Sequence, residues 1–187
     1  MTDDKSNVVL PLGFKYSGVK CGIKESGALD LAIISTDKNS VAAGVYTQNI
    51  VRAASIEWNE AITPTNQFRA LVINSGNANA CTGKQGATDN QQMAAQVADL
   101  VGAAAEQVCV LSTGVIGHPL PMEKISPGIA QAASEADSTR DKFELASQAI
   151  LTTDKGPKTV TKSVTFGDKK VQLASIAKGA GLSLIHI

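Results

Sequence analysis

Histidine is almost missing from this 187-residue sequence, which holds only His118 and His186. A Ser-His-Asp or Cys-His relay would hang on one of these two residues, so any acid-base chemistry is expected to run without histidine. Cysteine is also sparse. Cys21, Cys81 and Cys109 are odd in number, lie far apart and form no C-x-x-C pair, which removes a disulfide framework and a zinc site of ordinary spacing. All three are read as reduced thiols, and no metal is expected. An excess of charge is lacking too: 17 basic side chains balance 17 acidic ones, leaving no basic face for phosphate backbones or anionic lipid. Nucleic-acid and membrane partners are therefore not expected. No apolar run approaches the roughly 18 to 20 residues that span a bilayer. Met1 to Asn7 carries neither a basic n-region nor an apolar h-region, so a cytoplasmic location is expected.

The residues that are present fit one globular domain, or part of a larger one, with 43% hydrophobic and 18% charged residues. Leu29–Ser35 and Val41–Thr47 are β-prone runs around a polar cluster, Thr36–Ser40, and are expected to form a hairpin. Arg69–Asn74 is a further strand, running into a loop of Gly, Asn and small residues, Ser75–Gly86. Met93, Val97, Leu100 and Val101 recur at helical spacing, predicting a helix over Thr88–Gly102 with Thr88 as N-cap. A short strand, Val108–Ser112, delivers the chain to Thr113-Gly114. Ser126 and Pro127 are spaced like an N-cap and first residue of a second helix, Arg140–Leu151 reads as a third, and Thr159–Phe166 with Lys170–Ile176 as a second hairpin around Gly167-Asp168.

Two turns carry candidate chemistry. The Ser75–Gly86 loop fits neither G-x-x-x-x-G-K-[ST] nor G-x-G-x-x-G, so a structural turn or a ligand-lining loop is favoured over a nucleotide site. At Ser112-Thr113-Gly114 a strand end followed by glycine can aim a backbone N–H at a developing oxyanion, with a hydroxyl beside it; a plain turn is the commoner outcome. Thr152-Thr153-Asp154 and Lys178 are unremarked when taken singly, and His118 reads as a loop residue.

Taken in order, Ala42–Asn49 (AAGVYTQN), Val72–Gly83 (VINSGNANACTG), Ser112–Gly117 (STGVIG), Thr152-Thr153-Asp154 and Ala177–Gly181 (AKGAG) resemble the ornithine acetyltransferase family, the bifunctional glutamate N-acetyltransferases of arginine biosynthesis. The resemblance implies an α/β fold, a layered αββα sandwich like those of self-cleaving N-terminal-nucleophile proteins, here incomplete because the β chain is absent. It divides the chain into a polar leader (1–12), an α-chain domain (13–181) and a tail (182–187).

The activity implied is ping-pong acetyl transfer from N-acetylornithine to glutamate, through an N-terminal threonine that self-cleavage exposes and whose own α-amine acts as base. Thr113 and Gly114 match the oxyanion-stabilising positions, Thr152 and Lys178 substrate-binding ones. No cofactor is implied, although acetyl-CoA is a possible acetyl donor. The partner implied is the protein's own β chain, in a heterotetramer or larger assembly. Two rival readings remain open: a non-catalytic fragment that binds acylated amino acids, and a self-processing aminopeptidase of related architecture.

Beyond Gly181 the family pattern fails. The cleavage-point threonine would fall past Ile187, and Leu182–Ile187 (LSLIHI) does not match. LSLIHI is the translation of a transposon end used in preparing sequencing libraries, so this tail is expected to be non-native. A chain lacking its β-chain partner is expected to leave apolar sheet surface uncovered and to associate or dissolve poorly.

Overall fold

The computed structural model describes residues 9–179. The tail at 182–187, with Gly181 and His186, and most of the 1–12 leader lie outside them. The elements in chain order are β1 (Phe14–Val19), β2 (Leu31–Ala42), α1 (Ala54–Ile62), β3 (Thr65–Asn77), α2 (Gly83–Val101), a 3-10 turn at Ala105–Gln107, β4 (Val108–Val115), α3 (Met122–Ser134), α4 (Arg140–Ala149), β5 (Lys158–Phe166) and β6 (Lys169–Ala177). β1 to β4 form one sheet in sequence order, antiparallel except for the parallel pair β3–β4, while β5 and β6 form a separate hairpin.

Alternation along the strands builds two different faces. Leu31, Ile33, Ala70, Val72, Val108 and Val110 point to a layer of α2 and α3, where Met93, Val97, Ile125 and Ile129 are fully buried. The opposite face presents Ala32, Ile73 and, partly buried, Ile34 and Leu71. Here α4 packs mainly over β1 and less over β2, through Phe143, Ala146 and Ala149. Phe143 meets Tyr16 edge to face at 5.2 Å between ring centroids. Gly18 allows this approach, because a Cβ there would stand 2.3 Å from the Leu145 carbonyl oxygen. Ala174 and Ile176 of the β5–β6 hairpin pack against the same cluster, and a cavity opens on the sheet between this hairpin and α4.

Several sequence expectations hold. α4, the β5–β6 hairpin and the strand around Arg69–Asn74 form where their periodicity puts them. The Leu29–Thr47 hairpin does not. β2 runs unbroken through the polar cluster, pairing Ile34 with Leu71 and, after a register shift, Ser40 with Phe68 and Ala42 with Thr65. Thr36 takes up the irregularity by donating from Oγ1 to the Lys38 carbonyl (2.8 Å), and Arg69 Nε donates to the Thr36 carbonyl (3.2 Å). Polar residues marked the solvent end of a long strand, not a reversal.

Two helix starts also move upstream. Thr88 is inside α2, its hydroxyl donating back to the Lys84 carbonyl (3.1 Å), and the N-cap position belongs to Thr82. α3 begins at Met122, so Pro127 lies inside the helix. An internal proline costs about 3 kcal/mol. The complete burial of Ile125 and Ile129, at roughly 1.5–3 kcal/mol each, offsets that cost, and the Ser126 hydroxyl accepts from Gln96 of α2 (3.0 Å) rather than capping.

Candidate active site

The open half of the sheet forms a cavity of about 650 Å³ whose floor is Ile34, Phe68, Leu71, Ile73 and Leu111. Its rim carries Thr113 from the end of β4, Ser55 from the start of α1 and Lys178 from the residues after β6. An apolar floor with a few polar groups converging at one edge is the usual form of a small-molecule site.

β3 and β4 end side by side at this rim. Gly76 pairs with Gly114, and both have positive φ, +115° and +149°. A Cβ on Gly114 would stand 2.1 Å from the Gly76 carbonyl carbon, so the backbones meet where no side chain fits. Behind Gly76 lies the loop 21–24, with Ile23 and Lys24 packed against it. The fully buried Asp30 holds this loop: its carboxylate accepts backbone N–H bonds from Cys21 (2.7 Å), Gly22 (3.0 Å), Ile23 (2.7 Å) and Lys24 (3.1 Å). Burial, followed by the Asp30 charge, pushes the Cys21 thiol up to about 12, so it is an inert thiol and not a nucleophile.

Lys178 is a charged group left without a hydrogen-bond partner. Its Nζ is buried and makes no hydrogen bond, and a desolvated cation without a partner is costly. Burial pushes its pKa down to about 8; the Asp154 carboxylate opposes that shift, and the Lys24 ammonium adds to it. Asp154 stands in the segment between α4 and β5, its side chain 0% exposed. Through Oδ1 it accepts from the Gly179 N–H (2.8 Å) and from the Lys158 ammonium, while Lys158 Nζ donates to the Gly179 carbonyl (2.6 Å). The Lys158 and Gly179 bonds hold the Asp154 carboxyl down at about 2. Thr152, two residues earlier, is exposed and does not line the cavity.

Of the residues singled out from sequence, Thr113 and Lys178 thus share one cavity, Gly114 follows Thr113 at the strand end, and Thr152 belongs to the segment that Asp154 ties to Gly179, next to Lys178. The 75–86 loop works at one remove. Asn77 Nδ2 donates to the carbonyls of His118 (3.1 Å) and Pro119 (3.0 Å), Asn79 Nδ2 donates to Gly86 (2.9 Å), and Thr82 Oγ1 donates to Asn79 Oδ1 (2.8 Å). These polar side chains are spent on backbone and on one another, and none lines the cavity. Asp30 and Lys158 escaped the sequence reading, since neither sits in a recognisable spacing. Among the described residues, no group of three His, Cys, Asp or Glu side chains is arranged to hold a metal, and no helix is long and apolar enough to cross a membrane.

Solved structures share this fold. The arginine biosynthesis bifunctional protein ArgJ of Bacillus halodurans superimposes with a TM-score of 0.86 at 36% identity, over 92% of this chain and 89% of that one. The ornithine acetyltransferase of Mycobacterium tuberculosis, solved in complex with ornithine, does so with a TM-score of 0.87 at 40% identity, over 94% and 92%. The fold is therefore the mixed α/β, N-terminal-nucleophile type of those two proteins.

The chain belongs to the ArgJ family, whose model matches residues 15–186. It is 44% identical to the arginine biosynthesis bifunctional protein ArgJ of Rhodopirellula baltica over 96% of this chain and 44% of that protein. With the mitochondrial ArgJ of Dictyostelium discoideum the identity is 40%, over 95% and 40%. The chain spans less than half the length of these curated relatives.

Proposed function

We propose that this chain supplies one wall of an acetyl-transfer site that moves acetyl from N-acetylornithine to glutamate in arginine biosynthesis, the complementary wall coming from the C-terminal half that its longer relatives possess. The observation that carries this reading is the buried, unpartnered Lys178 ammonium in the same cavity as Thr113. An ammonium with no internal partner calls for an anion, and the α-carboxylate common to N-acetylornithine and glutamate supplies one.

The chemistry proposed is the one that the family resemblance implies. The hydroxyl of an N-terminal threonine in the complementary chain attacks the acetyl carbonyl, and its own α-amine takes the proton. Thr113 and Gly114 receive the negative charge on the tetrahedral oxygen. Ornithine leaves with the proton, glutamate's amine attacks the acetyl ester, and N-acetylglutamate departs. Lys178 binds the substrate meanwhile, and Thr152, which is exposed and outside the cavity lining, is assigned a substrate contact on the family resemblance alone. No resident cofactor enters these steps, and acetyl-CoA would serve only as an alternative acetyl donor.

The uncovered apolar floor of the cavity, together with exposed Val45, Ile50 and Phe166, supports a partner that is the protein's own β chain, assembled as a heterotetramer or larger. We place the enzyme in the cytoplasm. We also keep the division into leader (1–12), α-chain domain (13–181) and non-native tail (182–187) as part of this proposal.

The test is an assay of the complete protein with labelled N-acetylornithine and glutamate. Label is expected in N-acetylglutamate, and Thr113→Ala is expected to lower kcat by roughly 100- to 1000-fold. Release of free acetate with no acetylglutamate would overturn the reading in favour of a hydrolase.

A further inference from the structure

We propose that Asp154 and Lys158 form a clamp whose role is to position Lys178 for substrate, so that Asp154 is a positioning residue of the same site. The inference rests on the reading of Lys178 as the substrate-carboxylate ligand. The clamp grips one residue, Gly179, at the peptide groups on either side of its Cα. Asp154 Oδ1 takes the Gly179 N–H at 2.8 Å, Lys158 Nζ gives to the Gly179 carbonyl at 2.6 Å, and the two side chains bond each other. Gly179 is the residue immediately after Lys178, and its own φ of +144° lies in the region that favours glycine. Held at both its N–H and its C=O, Gly179 has little freedom, and the Cα of Lys178, which shares a peptide group with that N–H, is fixed with it.

A reason for such a clamp lies in the rest of the site. Lys178 Nζ has no hydrogen-bond partner of its own, and among the described residues the hydrophobic side chains that the β5–β6 hairpin packs on the core cluster are Ala174 and Ile176. Without an anchor, a long flexible side chain at the end of a loosely packed hairpin would sample many positions, and binding would carry the entropy cost of ordering it. Asp154 does not neutralise Lys178 by an ion pair. No Asp154–Lys178 contact is among the salt bridges of the described residues, while Asp154–Lys158 is. One carboxylate oxygen goes to the backbone clamp, and the lysine at the rim is left free for an external anion.

The experiment is a double-mutant cycle on the complete protein. Asp154→Ala is expected to raise KM for N-acetylornithine by roughly 10-fold while kcat changes by less than about 3-fold. Lys158→Met, at a half-exposed position where folding should be unaffected, is expected to move KM in the same direction. Asp154→Asn keeps an acceptor for the Gly179 N–H and should recover part of the loss.

In a Lys178→Met background, which itself raises KM if Lys178 binds substrate, adding Asp154→Ala should have no further effect, because the clamp acts only through Lys178. Additive losses, or an unchanged KM in both Asp154→Ala and Lys158→Met, would overturn the clamp while leaving the substrate role of Lys178 standing. An unchanged KM in Lys178→Met would instead remove the substrate role, and the clamp with it.

Discussion

Asn59 of α1 makes with Val110 of β4 both hydrogen bonds that a neighbouring strand would make: its Nδ2 donates to the Val110 carbonyl (2.7 Å) and its Oδ1 accepts the Val110 N–H (3.0 Å). β4 is the edge of the sheet, so one amide side chain does there what a fifth strand would do. Trp58 helps by donating from its indole N–H to the Val108 carbonyl (2.9 Å). Over Val108 and Val110 the edge is thereby blocked to strand addition.

Asn59→Ala should therefore strand two backbone groups of Val110 at a buried position. A loss of roughly 2–4 kcal/mol follows from two hydrogen bonds and their desolvated partners, read as a lower midpoint in denaturant with unchanged slope. A variant within about 0.5 kcal/mol of the parent would mean that water or a shifted strand replaces the side chain.

Asp30→Asn tests the loop behind Gly76. The buried carboxylate accepts four backbone N–H groups, and an amide must turn one NH2 towards donors. Destabilisation of about 2–4 kcal/mol is expected, with faster amide exchange confined at first to residues 21–24. Exchange that rises evenly over the whole sheet would argue against a local role.

Gly114→Ala addresses the strand-end pair directly. The added methyl would stand 2.1 Å from Gly76 backbone and at a φ of +149°, so the two strand ends must part. In the complete protein kcat should fall by about 100-fold or more, with KM less affected. Retained turnover would exclude this peptide from oxyanion stabilisation.

Lys178 should make substrate binding depend on pH. Its ammonium has a pKa lowered to about 8, with Asp154 and Lys24 as the charged groups acting on it, and it attracts a carboxylate only while protonated. The affinity for N-acetylornithine should hold below pH 8 and decline as pH rises through that value. Stability runs the other way: a lysine with a depressed folded-state pKa is destabilising when charged, fully so below about 8, and the penalty is relieved as pH climbs towards the usual lysine value. Lys178→Arg, charged throughout this range, should abolish the decline in affinity. Titration calorimetry between pH 7 and 9.5 reads both variants, and a flat profile for the parent would remove Lys178 from the binding step.

The sequence by itself determined the mixed α/β class, the regular elements with strong periodicity, such as α4 and the terminal hairpin, and the strand-end motif at Thr113-Gly114. These rest on local signals, namely alternation, helical spacing and glycine at a turn. The length of β2, the start of α3 and the partners of Lys178 were decided only in three dimensions. Polar Thr36–Ser40 reads as a turn until β3 is present to pair with it. Pro127 reads as a helix start until Ile125 and Ile129 find α2 and the sheet to bury against. Asp154 and Lys158 converge on Gly179 across 25 and 21 residues of chain, and no local pattern encodes that meeting. Burial and hydrogen-bond satisfaction are properties of the packed chain, so they override local propensity wherever a distant element supplies the missing surface or partner.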